Sequence, residues 1–411
     1  MVGVYRIMTH ITIPGVNHEA LQFVFDKNAL LGAFSLLTGG SAENFSIVLM
    51  GLSPYINASI IIQLLTVIVP KMEELSKEGE QGRKTLNKWT RWLTLPLAFV
   101  QSYGTIALLN AQAQVPIIEN FKDPAVLIPI MVTVCAGTIL LMYIGEMMTE
   151  KGIGNGISIL IFAGIVAGIP SIAGPTLALA QTEPERLIPL MAILLFTLIF
   201  TVVVVMFTEG QRRIPITYAG QRGRVKMEQS FLPIRVNQAG MIPIIFAVSI
   251  VTFPSIIGQF LTYADSASVQ NVGRFLTTTF SPQSWAYILL YFLMTVGFTY
   301  FYVGITFNTD QVAENIQKRG GFIPGLRPGT ETAEHLKKVS NRLNLFGGTM
   351  IAAIAVMPLI LQGVFTQLNV GSVPMLVGGA GIIIVVGVVL DLIRQINAQL
   401  LVHQYERFYK G

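Results

Sequence analysis

The sequence predicts an all-α polytopic membrane protein, and three observations carry that prediction. Only 12% of the residues are charged, about half the share found in a soluble domain, and mean hydropathy is +0.63. Long apolar runs recur along the chain, several of them close to the roughly 20 residues that a helix needs to cross hydrocarbon. Nearly all Lys and Arg fall in every second gap between those runs, which is how basic loops are distributed when they stay on the cytoplasmic side of a bilayer. The net charge of +5 is then a matter of topology and needs no nucleic-acid partner.

Taken in order, Met1 to Ile13 reads as the tail of a first span cut short, because Arg6 and His10 interrupt it. Nine complete spans are expected after it: Ile47 to Val69, Thr90 to Leu109, Val126 to Ile144, Ile157 to Pro170 and on to about Leu179, Leu187 to Phe207, Ala239 to Leu261, Trp285 to Phe307, Leu345 to Leu361, and Pro374 to Ile396. Each is an apolar run bounded by polar, glycine or proline residues. Lys71, Lys77, Arg83, Lys84, Lys88 and Arg91 share one gap, Arg212, Arg213, Arg222, Arg224, Lys226 and Arg235 a second, and Lys318, Arg319, Arg327, Lys337, Lys338 and Arg342 a third. Lys151 lies in a short Gly-rich turn on the same side, and Arg394, Arg407 and Lys410 close the chain there. The opposite gaps hold only Lys27, Lys122, Arg186 and Arg274. The three large loops and the C-terminus are therefore expected in the cytoplasm, and the residues before Ile47 outside it.

Pro54-Tyr55-Ile56-Asn57-Ala58 echoes Pro243-Ile244-Ile245-Phe246-Ala247. With the short first span counted, the two stretches lie five spans apart, and an odd offset inverts the second copy relative to the first. Two halves follow, residues 1–180 and 181–411. No Asp, Glu, Lys or Arg lies near the middle of a complete span; Glu146, Glu209 and Asp391 sit toward cytoplasmic ends. Intramembrane charges mark ion and proton pathways, so a coupled pump is disfavoured. His10, His18, His335 and His403 lack metal-ligand spacing, and the single cysteine, Cys135, cannot form an intrachain disulfide. No catalytic constellation emerges, so neither an enzyme nor a cofactor is expected.

Six stretches in order resemble one family: Ser53 to Leu65, Lys77 to Arg91, Glu150 to Gly168, Glu209 to Ile214, Leu232 to Ala247, and Gly325 to Gly329. From about Tyr5 to Tyr405 the chain resembles the bacterial SecY family, the channel subunit of the Sec protein translocon. The resemblance implies a ten-span SecY-type bundle of two inverted five-helix halves. It further implies an hourglass channel in the cell (inner) membrane that passes unfolded secretory polypeptides across and releases membrane proteins sideways.

By resemblance, the waist of the hourglass falls at Ile56, Ile165, Ile245 and Ile384, with Leu52 a neighbour. An aliphatic constriction dewets and resists ion entry, and β-branched walls are stiff. The family's plug matches Ala33, Phe34, Ser35, Leu36, Leu37, Thr38, Gly39, Gly40, Ser41, Ala42, Glu43 and Asn44, with the glycine pair as hinge. A lateral gate is implied beside Asn57, Gln63, Gln101 and Phe253, whose polar members form weak interhelical ties. Arg212, Arg213, Arg327 and Tyr405 correspond to positions that meet the SecA motor or the ribosome. The implied partners are SecE and SecG, signal sequences and nascent polypeptides, and anionic lipids beside the basic loops. A small-solute secondary transporter also favours inverted repeats, but it calls for a polar midplane site.

Overall fold

The computed structural model of the chain describes residues 1–27, 40–113, 115–118, 121, 123–152, 154–182, 187–218, 230–262, 266–281, 284–367 and 379–410. The described elements run α1 (Val2–Met8), α2 (His18–Lys27), α3 (Ser53–Ile68), α4 (Pro70–Lys77), α5 (Glu80–Gln112), α6 (Pro124–Lys151), α7 (Gly156–Thr182), α8 (Leu187–Glu209), β1 (Gln211–Tyr218), β2 (Ser230–Arg235), α9 (Ile242–Thr262), α10 (Ala267–Thr279), α11 (Trp285–Thr306), α12 (Thr309–Lys318), β3 (Gly321–Phe322), α13 (Thr330–Gln367) and α14 (Gly379–Lys410). Each expected span falls on a helix.

Several helix ends differ from expectation. Residues 47–52 form consecutive turns rather than helix, and α3 starts at Ser53 with Pro54 in its first turn. Proline has no N–H to give an interior turn, and a first turn does not need one. At the other end α3 meets α4 at a bend of 107°. α5 begins at Glu80 and α13 at Thr330, well before the apolar runs they carry. Among the described residues, five helices are long and apolar enough to cross a membrane alone, or six if the bent pair is one span. Gly156–Pro170 and Ile242–Ser255 are shorter apolar stretches.

The chain divides into two compact units, Met1–Leu187 with Thr252–Pro282 and Leu376–Gly411, and Ile188–Val251 with Gln283–Met375. In the first, α3 packs on α5 and α6, α5 on α6, α6 on α7, and α7 on α14. Its main core joins Leu21 and Phe25 of α2 to Phe45 and Leu49 of the turn segment, Ile106 and Leu109 of α5, and Ile117 and Ile118 beyond it. Two glycines on the long helices allow close approaches. A Cβ on Gly137 of α6 would run into the carbonyl of Ile47, and one on Gly156 into the carbonyl of Gly145.

In the second unit α11 lies along α13, and α12 packs on the start of α13. A three-stranded sheet of order β2-β1-β3 accompanies them. β1 pairs antiparallel with β2, Arg213 facing Pro233, and with β3 through Thr217 and Phe322. Along β1 Ile214 and Ile216 are buried while Arg213 and Pro215 are exposed, the alternation of a strand with one covered face. That face joins Ile234, Ala313, Ile323, Ala333 and Leu336 in a small core. Asn308 caps α12 by accepting from the N–H groups of Asp310 and Gln311, satisfying donors that the helix leaves open.

Candidate functional site

Four of the five aliphatic waist candidates belong to the first unit. Leu52 is the N-cap of α3, and Ile56 donates its backbone N–H to the Leu52 carbonyl at 3.0 Å. Both join a cluster with Tyr5, Met8, Val48, Leu141, Ile144 and Leu160, in which Leu52 is buried and Ile56 partly so. Ile165 on α7 and Ile384 on α14 are 3% and 2% exposed, on two helices that pack together. Ile245 belongs to the second unit and is half-buried on α9. Its neighbour Phe246 meets Phe298 edge to face at 5.8 Å.

Of the plug segment, Ala33, Phe34, Ser35, Leu36, Leu37, Thr38 and Gly39 lie outside the described residues. The remainder is anchored. Gly40 has φ +81°, a left-handed conformation that glycine adopts without strain. Ser41 and Ala42 are fully buried, Ser46 donates to the Ser41 carbonyl at 3.0 Å, and the Asn44 amide donates to the Thr9 carbonyl at 3.2 Å. Glu43 is half-buried.

The polar residues expected at a lateral gate divide among different roles. Gln63 donates to the Ser59 hydroxyl one turn earlier on its own helix, at 3.2 Å. Asn57 is half-buried on α3. The Oε1 of Gln101 on α5 is buried with no hydrogen-bond partner, and such an acceptor carries a desolvation cost until something donates to it. Phe253 is 57% exposed on α9.

Of the four docking candidates, Arg212, Arg213 and Arg327 belong to the second unit and Tyr405 to the first. A groove of about 390 Å³ in the second unit is lined by Arg212, Arg213, Ile214 and Pro215 of β1, by Ile323, Pro324, Gly325 and Leu326, and by His335 of α13. Arg327 follows directly in a turn bounded by Gly325 and Gly329, at φ +86° and +103°. The Glu331 carboxylate accepts from the Arg327 backbone N–H at 3.2 Å, and the Thr332 hydroxyl donates to the Arg327 carbonyl at 2.9 Å. The backbone of Arg327 is thereby pinned to the first turn of α13 while its side chain is exposed. Tyr405 lies on α14.

Sequence reasoning missed two features. One is the β1 strand, whose alternation is legible in a run that hydropathy passes over and that the sequence marks by its arginines and by the Glu209 to Ile214 motif. The second is an ion pair in the first unit: Arg91 Nε on α5 donates to Glu146 Oε1 on α6 at 2.7 Å, with side chains 39% and 16% exposed. The Arg91 guanidinium also lies 5.9 Å from the Tyr143 ring centroid. Outside the spans, the Lys84 ammonium 3.0 Å from Glu80 hydrogen-bonds its carboxylate and holds it below the usual carboxylate pKa.

Long apolar helices, basic connections and, among the described residues, no fully buried charge define a multi-pass, all-α membrane protein. Residues 46–393 match the family model described as SecY. The chain is 39% identical to the protein translocase subunit SecY of Corynebacterium glutamicum, covering 100% of this chain and 95% of that one. It is 38% identical to the protein of the same name from Pseudomonas aeruginosa, covering 99% and 90%. Among solved structures it resembles one titled "The structure of a protein conducting channel" with TM-score 0.65 at 18% identity, over 96% of this chain and 89% of that one. "Sec61 in the Canine ribosome-channel complex from the endoplasmic reticulum" follows with TM-score 0.60 at 17% identity, over 96% and 89%. The chain belongs to the SecY family. It is a protein translocase subunit of the channel kind and not an enzyme, and nothing in these comparisons supports a small-solute transporter.

Proposed function

We propose that the polypeptide path of this channel is lined by Leu52, Ile56, Ile165, Ile245 and Ile384, within two inverted halves, residues 1–180 and 181–411. The packing division differs from that repeat division because α14 packs on α7. What supports the reading is that all five are aliphatic, with no Asp, Glu, Lys or Arg near the middle of the spans that carry them. An extended chain finds no hydrogen-bonding group on such a surface, and water and ions are disfavoured there.

Ala33 to Asn44 acts as the plug, swinging about Gly39-Gly40 while its buried end at Ser41-Ala42 stays fixed. The lateral gate runs beside Asn57, Gln63, Gln101 and Phe253. A signal segment of about ten apolar residues gains roughly 3 to 6 kcal/mol on reaching a lipid-like environment. Reversing a gate that is closed 99 times in 100 takes about 5.5 kcal/mol of differential affinity, so only signals at the upper end of that range reverse it, which makes opening selective for hydrophobic signals. Arg212, Arg213, the pinned Arg327 and Tyr405 meet a cytoplasmic motor of the SecA kind or a ribosome, and SecE and SecG complete the complex. The membrane is the cell (inner) membrane, the basic loops and the C-terminus face the cytoplasm, and anionic lipids lie against them.

The single observation that carries the reading is family membership across nearly the whole length of the chain. The experiment is site-directed crosslinking. With Ile165→Cys, a stalled secretory chain bearing one cysteine forms a disulfide with the channel, and Leu198→Cys, an exposed site on α8, does not. Equal crosslinking at both positions, or none at Ile165→Cys, would overturn the path.

A further inference from the structure

The connection between α9 and α11 carries a thirteen-residue helix, α10, to which the channel reading assigns no role. α10 is held against the last turns of α9 without intervening side chains. A Cβ on Gly273 would lie 2.5 Å from the Thr262 nitrogen and 2.7 Å from the Gly258 carbonyl oxygen, and one on Gly258 would lie 2.6 Å from the Leu276 Cβ. The two backbones touch at this glycine pair, as small residues permit between membrane helices.

The opposite face of α10 is exposed, and beside the polar Asn271 and Thr278 it presents two large apolar side chains. Ser268, Val272 and Phe275 fall one and two turns apart on one side of the helix, and Val272 and Phe275 are 52% and 64% exposed. Gly273 is buried, and Val269, Gln270, Leu276 and Thr277 are half-buried on the other side. Arg274 is the only basic residue between Tyr263 and Ser284, and it is exposed.

We infer that α10 lies in the membrane interface, with Val272 and Phe275 dipping into the acyl boundary and Arg274 reaching the lipid phosphates. Three observations name lipid as the occupant. The helix that α10 touches carries an expected membrane span, and its Phe253 and Ile257 are exposed, so both helices present apolar side chains at their surface. Gly258 is only four residues from the end of α9, about 6 Å along a helix, which matches the 5 to 10 Å depth of interfacial helices. The one cation beside the apolar face complements a phosphate headgroup. The inference stands whichever residues line the channel.

The test uses the full-length chain in lipid nanodiscs with Cys135→Ser and a single new cysteine carrying an environment-sensitive fluorophore. The sites are Phe275→Cys and, as a second variant, Val272→Cys. Leu198→Cys on α8 and Glu314→Cys on α12 give the lipid and water references. Lipids brominated high on the acyl chain are expected to quench positions 272 and 275 several-fold more than 314 and nearly as much as 198, while aqueous iodide quenches mainly 314. Iodide quenching at 275 and 272 equal to that at 314 overturns the inference, because the face is then in water. Protection from both quenchers also overturns it, because a protein surface then covers the helix.

Discussion

Replacing Glu146 by Gln tests whether α5 and α6 are joined by an ion pair or merely lie side by side. Arg91 Nε and Glu146 Oε1 are 2.7 Å apart, and two unit charges about 4 Å apart attract by about 4 kcal/mol at an effective dielectric of 20. Desolvation removes part of that gain. Glu146 is 16% exposed but Arg91 is 39% exposed, so the pair lies between the exposed limit of about 0 to 1 kcal/mol and the 3 to 5 kcal/mol lost on breaking a fully buried pair. After allowance for screening at the exposed arginine, we expect Glu146→Gln to cost about 2 kcal/mol. Arg91 keeps its position over the Tyr143 ring, which is worth about 0.5 to 1 kcal/mol at a partly exposed site.

A double-mutant cycle of Glu146→Gln, Arg91→Gln and the pair, followed by thermal unfolding in a mild detergent, isolates the coupling. The expected coupling energy is about 1 to 2 kcal/mol, mostly retained at high salt because a half-buried pair is weakly screened. Strictly additive single effects would refute the argument, as would a coupling that vanishes at high salt.

Three further predictions follow from separate parts of the molecule. Gly137→Leu drives a side chain into the Ile47 carbonyl and should cost more than about 3 kcal/mol, as overpacking at a backbone contact does; unchanged thermal stability would show that α6 and the turn segment are not in contact. Arg327→Glu reverses a charge on a pinned turn, and losing a charge-assisted contact of about 1.5 to 3 kcal/mol predicts a drop in protein export of roughly ten- to a hundredfold with insertion and protease resistance intact; normal export speaks against docking there. Asn57→Leu should lower or raise the signal hydrophobicity needed for export, measured with a graded series of signal sequences, and an unchanged threshold removes Asn57 from the gate.

The parts of this fold that the sequence revealed are those set by transfer to hydrocarbon. Trp285 to Phe307 was expected from its apolar run and is observed as Trp285–Thr306, because twenty or so apolar residues have one stable arrangement in lipid. Hydropathy says nothing of what lies beyond the hydrocarbon. α13 extends back to Thr330 over polar residues because Leu336 and Ala333 on one of its faces close the core under the β-sheet. The start of α3 was misread for a related reason. Residues 47–52 are apolar enough to span, yet Phe45 at φ 46° and Gly51 at φ 52° hold them in turns, and backbone conformation of that kind leaves no mark on hydropathy.

At the candidate site the same division holds. Aliphatic residues such as Ile165 and Ile384 look like any other membrane isoleucine, and the family motifs alone singled them out; burial is what any packed isoleucine shows, so it does not identify a pore. Charged residues behave differently. Glu146 was legible as a charge near the end of a span, and such a charge requires a partner. The rule that a half-buried carboxylate at a span end is paired points to Arg91, the basic residue at the matching end of the preceding span. Where physics forbids an isolated group, the sequence can be read for contacts; where it merely tolerates a residue, as at an apolar waist, only a relative or a crosslink can assign it.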